Sequence, residues 1–280
     1  MSQDRGFSSD TDAPRSENTA GNVPRHDDKK SGRKRSNTGH ADILYGIAPI
    51  EAALASGHRK IRQIHIKATN RSPRLEDLAR TAKEQGVPIT PASPPDLERM
   101  AGSATHQGIL AETGPLHLGT EKEALEHIGD PRALLVALDE VQDPQNLGAI
   151  IRACAVFGAS GVILPRHHNA PTGAAASKAS AGWLERFPLY DAANLARFLD
   201  TAHKAGWWIA GTAQEGDTPL QTFHMEQPMV LVLGNEGRGL RSLVRKKCDF
   251  TLAIPTQGEG GLNVSAAAAV VLYQLTQFRH

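Results

Sequence analysis

From residue 43 onward, apolar positions alternate between helical and strand-like spacing. Residues 47–55 carry Ile50 and Leu54 four apart, the spacing of one helix face. Residues 75–85 repeat it with Leu75, Leu78, Ala79 and Ala82, and Gly86 supplies a C-terminal stop. Short runs at 61–66, 87–89 and 108–111 predict strands. Residues 41–116 therefore predict a small α/β unit. A stretch punctuated by Gly114, Pro115, Gly119, Gly129 and Pro131 follows, helical only around 121–127, so 117–131 is expected to be a linker.

Residues 133–138 are apolar throughout, as expected of a strand covered on both faces, and 229–233 repeat that pattern. Strands are also expected at 161–164, 207–210 and 250–254, and helices at 149–157, 195–204, 240–247 and 263–277. Strands alternating with helices predict a mostly parallel sheet with helices on both faces over residues 132–280. Ligands in such sheets bind beyond the carboxyl ends of strands, which directs attention to the loops after Leu138, Leu233 and Ile254.

Composition alters this picture at the N-terminus. Residues 1–40 hold eight basic and six acidic residues, with only Met1, Phe7, Ala13, Ala20 and Val23 apolar. So little burial cannot offset chain entropy, and a disordered tail is expected. Its cluster of Lys29, Lys30, Arg33, Lys34 and Arg35 reads either as an electrostatic arm for nucleic acid or as a solvated terminus. Asp4, Asp10, Asp12 and Glu17 argue against a mitochondrial transit peptide. Over the whole chain 31 basic residues face 30 acidic ones, and 40% hydrophobic content excludes wholesale disorder. No run approaches the ~18 apolar residues of a membrane helix, and no apolar segment follows the N-terminal charges as in a secretory signal. Cys154 and Cys248 make neither a disulfide framework nor a CxxC zinc pair. The expectation is a soluble cytoplasmic enzyme with no membrane and no metal.

Each of the three loops has its own chemistry. After Leu138, Asp143-Pro144 is a helix-start signal. Asn146 and Arg152 lie six apart, so they sit on different helix faces, with Asn146 near the loop and Arg152 expected to reach back towards it. Asn146 reads as a cap or a site residue, and Arg152 as a surface ion-pair partner or a functional cation. After Leu233 comes Gly234-Asn235-Glu236-Gly237-Arg238-Gly239-Leu240, whose glycines permit close approach of a ligand to backbone. Its order is GxxGxG rather than the dinucleotide GxGxxG, Glu236 is a poor phosphate neighbour, and no Walker A pattern is present. After Ile254, a flexible loop closes onto a small-sided helix for which Asn263 is the candidate N-cap. His167-His168 lacks partners at metal-ligand spacing, Arg238, Arg241 and Arg245 form a helical stripe that is either RNA-facing or solvated, and no GxSxG elbow appears.

In order and spacing, these segments resemble the three motifs of the SpoU/TrmH group of knotted RNA ribose methyltransferases. The matching stretches are Asn146-Leu147-Gly148 with Arg152, Leu233 through Leu240, and Ile254-Pro255 through Leu262-Asn263-Val264-Ser265. Tyr45-Gly46 and His106-Gln107-Gly108 extend the likeness, which covers roughly residues 43 to 280. It is strongest to the branch with a ribosomal-protein-like N-terminal domain that methylates a guanosine ribose in large-subunit rRNA. The resemblance implies a deep trefoil knot in the C-terminal domain, a homodimer, and S-adenosylmethionine as methyl donor. It implies that Gly234, Ile254, Leu262, Asn263 and Ser265 hold the cofactor, and that Arg152 with Asn146, Glu236 and Asn263 carries catalysis. Gly261 stands where the family usually has Ser. A tRNA ribose methyltransferase and a non-catalytic RNA-binding or ribosome-assembly factor on the same fold are the alternative readings.

Overall fold

The strand-like runs of the first half pair into a four-stranded sheet. In the computed structural model, which describes residues 42–258 and 260–277, these are β1 (Asp42–Tyr45), β2 (Ile61–Lys67), β3 (Ile89–Ala92) and β4 (Ile109–Thr113). Their order is β1-β4-β2-β3, with β4 antiparallel to both neighbours and β3 parallel to β2. The basic tail of residues 1–40 lies outside the described residues. Helices α1 (Ile47–Ser56), α2 (Pro73–Glu84) and α3 (Pro94–Ala101) accompany this sheet. Leu75, Leu78, Ala79 and Ala82 of α2 are buried, as their spacing predicts, and join Leu44, Ile50, Ile64, Ile66 and Ile109 in one core. Sequence periodicity did not predict α3, because Leu97 is its only buried residue; Ser93 starts it by accepting a hydrogen bond from the Asp96 amide.

The second sheet has eight strands: β5 (Gly119–Thr120), β6 (Leu134–Leu138), β7 (Gly161–Pro165), β8 (Leu189–Ala192), β9 (Trp208–Thr212), β10 (Thr218–Pro219), β11 (Met229–Leu233) and β12 (Phe250–Ala253). Their order is β10-β12-β9-β11-β6-β7-β8-β5, and the pairings are parallel. Helices α4 (Glu121–Leu125), α5 (Pro144–Val156), α6 (Ala174–Ala179), α7 (Leu195–Lys204), α8 (Ser242–Arg245) and α9 (Val264–Thr276) complete the fold. Every residue of β6 and β11 is buried, because alternate side chains feed two cores. Leu134, Val136 and Leu138 pack with α5 and α9, while Leu135 and Ala137 pack with Phe198 and Leu199 of α7. The stretch 117–131 contributes β5, paired with β8, and α4, which starts in a capping box between Thr120 and Glu123.

The order of strands positions the site. From β6 the chain proceeds outward through β7 and β8, then returns to build β9 on the other side before β11 inserts next to β6. The direction of winding thus switches between β6 and β11, and a crevice opens at the carboxyl ends of strands at such a point. Leu138 pairs with Leu233, so the loops after both strands leave the sheet side by side.

Candidate active site

Asp139, fully buried at the end of β6, ties the two loops together. Its amide donates to the Leu233 carbonyl at 2.8 Å, and its carboxylate accepts from the Arg241 amide at 2.8 Å and from Arg241 Nε at 2.6 Å. Within the second loop, Asn235 and Gly239 exchange backbone hydrogen bonds of 3.0 and 2.8 Å. The Asn235 side chain donates to the Glu140 carbonyl at 3.0 Å and accepts from the Gly237 and Arg238 amides. This turn folds so tightly that a Cβ on Gly234 would lie 2.4 Å from the Gly239 carbonyl carbon. Glycine is required there by close approach.

Two helices begin at the same place. Asp143 caps α5 by accepting from the Gln145 amide at 2.9 Å, with Pro144 in the first turn, and this sets Asn146 in a buried position. Asn263 caps α9 by accepting from the Ser265 amide at 2.8 Å and the Ser265 hydroxyl at 2.6 Å. Between them stands Glu236. One of its carboxylate oxygens accepts from the side-chain amides of both Asn146 and Asn263, the latter at 2.7 Å, and Asn263 also donates to Asn146 Oδ1 at 3.1 Å. One residue from each motif therefore meets the other two. Both donors come from the first turns of their helices, Asn146 from α5 and Asn263 as the cap of α9.

Glu236 also lines a cavity of about 380 Å³. Of the residues expected to hold a cofactor, Gly234, Ile254 and Leu262 line it, whereas Asn263 and Ser265 start the helix beside it. Leu240, Leu252, Val264 and Ala267 supply apolar wall. Sequence reasoning missed Thr212, Ala213, Gln214 and Glu215, which form another part of the lining, together with Arg238 and Arg245. Thr212 ends β9 and the other three follow it, and the rule that pointed to the ends of β6 and β11 applies equally to that strand. Gln214 lies against Gly261, its Nε2 being 3.2 Å from where a Cβ would stand.

Arg152 is placed differently. It lies about 9 Å along α5 from Asn146 and is exposed, its side chain making no hydrogen bond or ion pair among the described residues. It shares the outer stripe of α5 with Val156, beside exposed Ala266, Val270 and Tyr273 on α9. The three arginines after Gly237 do not form a continuous helical stripe, because α8 covers only Ser242–Arg245. Arg241 is committed to Asp139, and Arg245 donates to the Glu215 carbonyl at 3.3 Å. His167 and His168 are exposed in the loop after β7, and no metal-holding group of three ligands exists among the described residues.

The family profile of the SpoU rRNA methylases matches residues 133–273, half of the chain. The chain belongs to the SpoU rRNA methylase family. A second profile, for the substrate-binding region of RNA 2'-O ribose methyltransferases, matches residues 43–118. Among SpoU relatives, the 23S rRNA (guanosine-2'-O-)-methyltransferase RlmB of Pseudomonas putida is 35% identical, over 84% of this chain and 96% of its own. An uncharacterized tRNA/rRNA methyltransferase of Mycobacterium avium is 36% identical, over 88% of this chain and 81% of its own. The crystal structure of the SpoU methyltransferase AviRb from Streptomyces viridochromogenes, in complex with AdoMet, superposes with a TM-score of 0.71 at 26% identity. That match covers 85% of this chain and 90% of AviRb.

Proposed function

We propose that this protein transfers a methyl group from S-adenosylmethionine to a ribose 2'-hydroxyl of rRNA, at a guanosine of the large subunit. In this reading residues 41–116 bind substrate RNA, 117–131 connect, and 132–280 form the methyltransferase domain. The observation that carries it is the convergence of Asn146, Glu236 and Asn263 at the edge of a cavity walled by the loops after β9, β11 and β12. RlmB relatives aligned over most of both chains support the choice of rRNA and of guanosine.

The donor set fits the cofactor. A cavity of about 380 Å³ is within the range of small-molecule sites, and its glycine turns offer unshielded backbone groups beside an apolar wall. Gly234, Ile254 and Leu262 would hold the adenosine part, with Asn263 and Ser265 fixing the start of α9 next to it. When bound, S-adenosylmethionine supplies an electrophilic methyl group on a sulfonium. The chain's own task is to orient a ribose hydroxyl, so positioning contributes much of the rate. Asn146 and Asn263 hold Glu236 in one orientation, and its second oxygen remains open to the ribose. Arg152 faces away from the cluster of its own chain, so in this reading it serves the site of a second copy, where its guanidinium clamps the adjacent RNA phosphate and stabilises developing charge on the hydroxyl oxygen. That phosphate or a water accepts the proton.

The exposed stripe of Val156 (64%), Val270 (42%) and Tyr273 (56%) around Arg152 supports a homodimer in which a second copy covers this face. A trefoil knot is the expected topology, supported by β12 inserted between β9 and β10 and by α9 packed on α5. No described helix is long and apolar enough to cross a membrane. The substrate places the protein in the cytoplasm.

The test is Arg152→Ala, assayed by calorimetry with S-adenosylmethionine and by tritiated-methyl transfer to rRNA. Cofactor binding is expected to persist while transfer falls by about a hundredfold or more. Wild-type transfer by the variant would refute the assignment, and methylation of tRNA alone would move the substrate to that class.

A further inference from the structure

Away from this site, the most deeply buried charges among the described residues lie between the two sheets. Arg59, which follows α1 in the first unit, is 2% exposed, and Glu185, in the 3-10 turn Trp183–Glu185 of the second, is 0% exposed. Arg59 Nε donates to Glu185 Oε2 at 2.9 Å, its Nη2 to the Thr172 carbonyl at 2.8 Å, and its Nη1 to Asp42 Oδ2 at 3.3 Å. Ser56 Oγ donates to the Glu185 carbonyl at 2.5 Å. Two further contacts flank this group. A Cβ on Gly182 would lie 2.5 Å from the Ala48 carbonyl oxygen, so α1 sits directly on that turn. Lys178 donates to the Thr105 carbonyl and stands 5.4 Å from the Tyr45 ring centroid.

A buried ion pair is weak evidence of stability, because desolvation offsets its Coulomb gain. The other oxygen of Glu185 is buried with no hydrogen-bond partner, which adds to that cost. What such a pair does supply is register: a planar guanidinium bonded to three acceptors tolerates one relative placement of the elements that carry them. The acceptors here reach towards the site. Thr172 belongs to the loop after β7, and in that loop the buried Ala170 amide donates at 2.8 Å to the Val141 carbonyl, between Asp139 and the Asp143 cap of α5.

We infer that Arg59 and Glu185 are positioning residues. They lock the RNA-binding unit against the methyltransferase sheet in one orientation, so that RNA captured by the first unit presents its ribose at the Asn146–Glu236–Asn263 cluster. The inference rests on the reading of residues 41–116 as an RNA-binding unit. Without the lock, the contacts of Ser56, Gly182 and Lys178 and the tether of residues 114–118 keep the two sheets close, which preserves local concentration but not a single orientation.

The experiment places spin labels at Lys83→Cys on α2 and Lys204→Cys on α7, both exposed positions, and measures the distance distribution between them by pulsed electron resonance. Otherwise unaltered protein is expected to give one narrow distribution and Arg59→Ala a broad one. In steady-state assays of the full chain, Arg59→Ala is expected to raise KM for an rRNA fragment about tenfold, with kcat changed less than about threefold. Its affinity for S-adenosylmethionine is expected to stay unchanged, and Arg59→Lys should recover part of the loss. If Arg59→Ala does not fold, Glu185→Gln, which keeps shape and an acceptor but removes the charge, is expected to shift both readouts the same way by less. A broad distribution before mutation, or a narrow one after it, overturns the lock. Broadening with KM unmoved overturns its role in RNA positioning. If the unmutated protein transfers no methyl group, the proposed function fails and the distance distributions alone decide the lock.

Discussion

Gly234→Ala is the smallest change that tests whether the turn after β11 forms the cofactor wall. The new methyl would stand 2.4 Å from the Gly239 carbonyl carbon, 2.6 Å from its oxygen and 2.6 Å from the Leu240 nitrogen. Ordinary carbon contacts begin at about 3.5 Å, so the turn must open by roughly 1 Å. All three neighbours are backbone, and no rotamer change relieves the clash. Opening strains the paired hydrogen bonds between Asn235 and Gly239, and with them the seat of Glu236. Overpacking of this kind costs about 1–3 kcal/mol, which becomes roughly a 5- to 150-fold weaker cofactor Kd if the turn bears all of it. Titration calorimetry with S-adenosylmethionine measures that loss, and a thermal melt shows whether the fold shares it. Gly258→Ala is the control, because a Cβ there meets nothing within 4 Å. Equal affinities for Gly234→Ala and the unaltered protein would refute the reasoning, as would an equal loss in both variants.

Other outcomes follow from the same geometry. Asn263→Ala removes the α9 cap and one donor to Glu236, so it is expected to cost about 0.5–2 kcal/mol in urea unfolding and to lower kcat. Unchanged kcat would separate Asn263 from the site. Asp139→Asn keeps shape but removes the charge that Arg241 bonds, and is expected to cost about 1.5–3 kcal/mol by the same measurement, with weaker cofactor binding. Cys248 is half-buried, and desolvation, reinforced by Asp249 and Asp139, pushes its thiol up to about 12. Only about 1 in 10,000 copies is then thiolate at pH 8, so thiol reagents should label it only after denaturation; rapid labelling of native protein would contradict this. The folded state keeps that proton to higher pH than the unfolded chain, so stability should fall as pH rises from about 8.5 towards 12.

Continuous apolar runs were the most legible part of the sequence. β6 and β11 appear where residues 133–138 and 229–233 predicted, and α7 matches its predicted span. The helix expected at 149–157 begins earlier, at Pro144, where the Asp143-Pro144 signal already lay. β8 and α6 were not predicted: β8 is four residues long, and α6 is short and made of small residues, so neither carries a period. Among site residues, the resemblance to the family's three motifs pointed to Asn146, Glu236 and Asn263, and the structure brings them together. It could not reveal Gln214 or Asp139, whose roles depend on which strands become neighbours. The expected return of Arg152 towards Asn146 does not occur within one chain, because the outer stripe of α5 faces away from the cluster.

Asn146 and Asn263 are separated by 117 positions, yet they share a single carboxylate. Vectorial synthesis delivers one long before the other, and under the proposed function the donor pocket, walled by the loops after β9, β11 and β12, is incomplete on a half-made chain. Ligand can therefore reward only the finished fold and cannot guide its early assembly. Any slow step in placing α9 becomes a lag before the first turnover.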